Sequence, residues 1–77
     1  MTDTPGPWRR IDGEHYQRCG AYGACAWSRG RGVYRWQVFR TIGPWDAGTV
    51  DEGAADTLAA AKRAATAALI RHAPVPF

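Results

Sequence analysis

Few side chains in this chain of 77 residues are of a type that could do chemistry, and their spacing limits what they could do. The two histidines fall far apart: His15 on an early extended segment, His72 at the end of a C-terminal helix. General acid–base catalysis needs partners converging on one proton, and neither histidine has such a neighbour in sequence. On one continuous strand, Cys19 and Cys25 would lie roughly 20 Å apart at about 3.3 Å per residue. A disulfide needs Cα atoms within about 7 Å. Separate thiols fit a reducing cytoplasm, and a C-x5-C pair without further ligands is no zinc site. Cys25 is expected in the core, where a thiol behaves as a small hydrophobe, and nothing near Cys19 in sequence marks it as reactive. The acids Asp46, Asp51, Glu52 and Asp56 do not follow calcium-loop spacing and read as loop and helix-start charges. Gly30 and Gly32 flank an arginine, but no helix follows to complete a phosphate cradle. The chain thus reads as non-enzymatic, with no cofactor and no metal.

A binding surface is the remaining function class, and the elements decide which residues form it. At this length a single domain buries about 60% of its unfolded surface, so its core is thin. Four Trp, three Tyr and two Phe are a large apolar payload for that core, and dimerisation is a common supplement; a homodimer is expected. Residues 1–7 read as a flexible Pro/Gly lead. Trp8–Ile11 reads as a short strand ending at the turn dipeptide Asp12-Gly13, and Glu14–Cys19 resumes extended structure. Gly20 and Gly23 each leave room for a bulge.

The best-specified element is a hairpin over Ala21–Thr41. A two-residue turn at Gly30-Arg31 pairs Trp27 with Tyr34, Cys25 with Trp36 and Gly23 with Val38 on one face. Ala26 with Arg35, Ala24 with Gln37 and Tyr22 with Phe39 take the other. Ile42–Val50, with Gly43-Pro44 and Gly48, reads as a loop that allows a short edge strand at Gly48–Val50. Asp56 then caps a helix over Thr57–His72, whose inner stripe is Leu58, Ala61, Ala65, Ala68, Leu69 and His72. Pro74 ends it, leaving residues 74–77 as an apolar tail. The expected fold is α+β: an antiparallel sheet of three to four strands over 8–50, packed on one Ala-rich helix over 56–73.

This arrangement makes Tyr22, Arg35, Gln37 and Phe39 on the outer sheet face, with Arg29 and Arg31 at the hairpin tip, the candidate partner-binding residues. Aromatics and arginine are the types enriched at interface hot spots. Net charge is +3, and residues 1–42 carry seven arginines against three acids, so the sheet half is basic. No basic-plus-apolar leader opens the chain and no apolar run is long enough to cross a membrane; a soluble cytoplasmic protein is expected.

Three resemblances bear on the partner. Tyr34, Arg35, Trp36, Val38 and then Asp56-Thr57, Ala61 and Ala64-Ala65 resemble the strands-then-helix pattern of AP2-type and integrase-arm DNA-binding domains, which implies DNA read by strand Arg and Trp residues. Ala61-Lys62-Arg63-Ala64-Ala65 resembles the second helix of double-stranded-RNA-binding domains, but Thr57-Leu58-Ala59 stands where their phosphate-gripping lysines would be. As a class, a short single-domain sheet-plus-helix chain without catalytic residues is similar to accessory proteins of phages and mobile elements, of which anti-CRISPR proteins are the best known. That resemblance implies stoichiometric binding to a host protein or ribonucleoprotein complex, a CRISPR effector, that blocks its access to target DNA. A small DNA-binding module and a virion structural or assembly protein are the alternatives.

Overall fold

The computed structural model describes residues 5–42 and 45–73. Its elements run β1 (Arg9–Ile11), β2 (Glu14–Cys19), β3 (Tyr22–Gly30), β4 (Val33–Ile42), β5 (Trp45–Ala55) and α1 (Leu58–His72). The strands form one antiparallel sheet in chain order, β1-β2-β3-β4-β5, and α1 packs across one face of it. The class is α+β with a single C-terminal helix, as the sequence suggests. The strand count is five rather than three to four, because the stretch read as a loop over Ile42–Val50 instead opens an eleven-residue strand. Gly48 does not break β5; it takes φ 116° opposite Arg40, beside a register shift. Gly43 and Pro44, on which the loop reading rested, lie outside the described residues, as does the expected tail 74–77.

Local chemistry explains the joints. Asp12 and Gly13 both have positive φ, 51° and 81°, which is the two-residue hairpin turn that an Asp-Gly pair favours. Gly20, at φ 62°, belongs to the connection between Cys19 and Tyr22, which face each other across β2 and β3. The two cysteines are therefore on adjacent strands rather than one, and period-two alternation turns them to opposite faces. The helix is capped by Thr57, not Asp56: the Thr57 hydroxyl accepts from the Ala60 N–H at 3.1 Å.

The expected flexible lead is partly tied down. The Gly6 N–H donates to the Arg18 carbonyl at 2.8 Å, and the Gly6 carbonyl accepts from Gln17 Nε2 at 2.8 Å. Residues 1–4 lie outside the described part.

The core lies between sheet and helix. Ala24 and Ala26 of β3, Val38 and Trp36 of β4, and Ala61, Ala65, Ala68 and Leu69 of α1 form it, with Cys19 and Ala73 at its margin. Alanine along the helix lets its axis approach the sheet closely, and Trp36 fills the space this leaves. Its indole lies directly over Gly53, its cross-strand partner, where a built Cβ would come within 2.6 Å of the ring. His72, expected on the inner stripe, is instead exposed and reaches Asp51 of β5.

Candidate functional site

The two faces of the sheet follow from the register. The helix-covered face carries the rows Arg10, His15, Ala26, Trp36, Gly53 and Gln17, Ala24, Val38, Asp51. The opposite face carries Arg9, Tyr16, Cys25, Gln37, Glu52 and, one row over, Arg18, Gly23, Phe39, Thr49. Trp27, opposite Arg35, belongs to a third row there. No described element covers this second face.

This register corrects the expected hairpin. The turn is Arg31-Gly32, between the paired Gly30 and Val33, with Gly32 at φ 70°. A register shift between Ser28 and Gly30 then absorbs Arg29. Relative to a Gly30-Arg31 turn, β3 is slipped by one residue against β4, and a one-residue slip sends every side chain of a strand to the other face. Trp27 and Cys25 thus move to the open face, while Ala24 and Ala26 go under the helix. Tyr22 follows them: it pairs with Arg40 and packs against the core cluster, so it does not join Arg35, Gln37 and Phe39. Those three, on the correctly assigned β4, share the open face. Arg29 and Arg31 are exposed at the hairpin tip.

Tyr16, Trp27, Cys25 and Glu14 were not among the residues expected on this face. Together with Gln37, Phe39 and Thr49 they line a shallow concavity of about 420 Å³ at its centre. Gly23 shapes its floor: a built Cβ there would meet the Phe39 ring at 2.7 Å, so the ring lies flat on glycine backbone. Cys25, 9% exposed, is the most buried residue of the row. The Tyr16 hydroxyl donates to Glu14 Oε2 at 2.6 Å. That hydrogen bond, aided by partial burial and the carboxylate's charge, pushes the phenol up to about 12. The half-buried aromatics Tyr16, Trp27 and Phe39 share this face with Arg9, Arg18 and Arg35 and with Glu14 and Glu52.

Among the described residues, no three His, Cys, Asp or Glu side chains converge to hold a metal ion. His15 lies on the other face, where partial burial and then the charges of Lys62 and Arg10 hold its pKa below the ordinary value. The Trp36 of the AP2-type resemblance is on the helix-covered face and buried; Arg35 alone of the Arg-Trp pair faces outward. No described helix is long and apolar enough to cross a membrane. Comparison with protein-family models, with curated proteins and with solved structures finds no match.

Proposed function

We propose that this chain is a non-enzymatic binding module that docks a protein partner on the open face of its sheet. The observation that carries the reading is the composition of that face. Tyr16, Trp27 and Phe39 are half-buried around a central concavity, with Gln37 among them and arginines toward the rim. Protein interfaces are built this way, with aromatic and arginine anchors at the centre and charge at the edge. Glu14 and Glu52 on the same face would repel a phosphate backbone.

The narrower form of the proposal is an inhibitor of a host nucleic-acid-processing complex, of the anti-CRISPR kind. It rests on the class of chain and on no single residue. A second reading, direct DNA binding, draws on the exposed Arg9, Arg18, Arg29 and Arg31 together with Arg35.

The deciding experiment is a tagged pull-down from bacterial lysate with and without nuclease, followed by affinity measurement against whatever is retained. Docking on a protein predicts a partner that survives nuclease treatment. It also predicts that Trp27→Ala, Arg35→Ala or Phe39→Ala each weakens binding by about 1–4 kcal/mol, the range of interface hot spots. Retention of nucleic acid alone, with affinity falling steeply as salt rises because phosphate contacts release counterions, would replace this reading with the DNA one.

A further inference from the structure

A second surface lies away from the open face, where the segment before β1 meets α1. Trp8 and the outward flank of the helix enclose a groove of about 580 Å³, lined on the helix by Ala59, Lys62, Arg63, Ala67 and Ile70. The paired hydrogen bonds of Gly6 to Arg18 and Gln17 hold the segment that leads into Trp8. Lys62 Nζ lies 5.6 Å from the centre of the Trp8 ring, and Thr66 is turned inward to donate to Gln17. The floor is indole and aliphatic carbon, and Ile70 is left 51% exposed.

Among the described residues, the ionisable groups that line this floor are of one sign, Lys62 and Arg63, and the charges of Lys62 and Arg10 add to the burial that disfavours protonation of His15. On the helix-facing side of the sheet, the Asp51 carboxylate is engaged by Arg71 and His72. An open apolar groove with Lys62 and Arg63 at its edge is complementary to a segment that presents a large apolar side chain between carboxylates.

We infer that the Trp8–α1 groove binds a short acidic peptide segment of a partner protein, its Leu or Phe side chain lodged beside Trp8 and its carboxylates on Lys62 and Arg63. A nucleic-acid strand fits less well. Base stacking would need the ring face that Lys62 approaches, and the floor of Ala59, Ala67 and Ile70 favours an apolar side chain over a sugar. This surface shares no residue with the open sheet face, so either can fail without the other.

The test is nuclear magnetic resonance titration of the labelled full chain with three probes. These are a synthetic peptide with a Leu-Phe centre flanked by glutamates, the same peptide with lysines replacing the glutamates, and oligothymidylate. The expected result is saturable shifts at the Trp8 indole and at the amides of Ala59, Lys62, Arg63, Ala67 and Ile70, with the acidic peptide alone. Replacing both cations, Lys62→Glu with Arg63→Glu, should weaken that binding on the order of tenfold or more, since like charges then face each other. Ile70→Asp should weaken it also, and unchanged circular dichroism in both variants excludes unfolding as the cause. Absence of saturable shifts, an equal response to the lysine peptide, a stronger response to oligothymidylate, or shifts centred on Tyr16, Trp27 and Phe39 would each overturn the inference.

Discussion

Gln17 is the buried polar residue through which three parts of the chain meet, and its amide is used at both ends. Nε2 donates to the Gly6 carbonyl, and Oε1 accepts from the Thr66 hydroxyl at 2.6 Å. Thr66→Val keeps the side-chain shape but leaves Oε1 without this donor, at a cost of about 1–3 kcal/mol in urea unfolding; Thr66→Ser should retain most of the stability. Asp51 and Tyr16 each make stability depend on pH. Asp51 is held below the ordinary carboxylate value, first by its hydrogen bond from Arg71, against a partial opposing effect of burial, with His72 and the Glu52 N–H adding to it. Its folded pKa is depressed, so its contribution is complete above the unfolded value of about 3.9 and is lost as pH falls through the folded one. Tyr16 behaves oppositely. Its pKa rises from 10.0 to about 12, so the folded state keeps a proton the unfolded chain releases, and stability declines between those values as pH rises. Urea midpoints measured against pH should show a smaller fall on the acid side in Asp51→Asn and a smaller one on the alkaline side in Tyr16→Phe.

At the scale of elements, two cross-strand pairs of an aromatic over a glycine hold the sheet, one on each face. They should respond differently to the same substitution. Gly53→Ala forces a methyl into the Trp36 indole, at 2.6 Å from Cζ2, and Trp36 is buried among core side chains that cannot yield. A loss of about 1–3 kcal/mol is expected, the usual cost of overpacking. Gly23→Ala meets the Phe39 ring, which is half-exposed and free to swing outward. It should cost less stability and instead displace Phe39 from the open face, weakening partner binding; thermal melts and affinity measured together separate the two effects. The same hairpin shows where sequence reasoning stops. Asp12-Gly13, the strand over Glu14–Cys19 and the Ala-rich helix were legible, because each depends on local chemistry. The register of β3 on β4 was not, because Gly30-Arg31-Gly32 permits two turns one residue apart, and only burial of Ala24 and Ala26 beneath the helix selects between them. Tyr22 was misplaced and Trp27 missed for that single reason, whereas Arg35, Gln37 and Phe39, on the strand whose faces were assigned correctly, were placed as expected. Of β5 only an edge strand at Gly48–Val50 was legible; the rest was hidden by Gly and acidic content, which has poor intrinsic strand preference and becomes a strand only through its neighbour.

For the molecule as a whole, the core is small relative to its sheet. Its two largest fully buried side chains are Leu69 and Val38; most of the rest is alanine. A fifteen-residue helix is about 22 Å long at 1.5 Å per residue. It covers one face only, and β1 and β5 each pair with a single neighbour among the described strands. We expect the chain to offset this thin core by forming a homodimer. Sedimentation equilibrium at micromolar concentration should show twice the chain mass, and the melting temperature should rise with concentration, as linkage to association requires. A monomer with a concentration-independent melt would leave the single core as the whole source of stability.

The strictly consecutive strand order also carries a consequence for how the chain reaches its native state. Each strand pairs with the one made just before it, so hairpins can zip one after another with little loop closure. Helix α1, which supplies Ala61, Ala65, Ala68 and Leu69 to the core, follows the whole sheet in the chain. During synthesis the sheet can thus be complete while Ala24, Ala26, Val38 and Trp36 still face water. Until α1 emerges, the nascent protein exposes that apolar face on one side and the aromatics of its open face on the other, the kind of transient surface on which chaperones act.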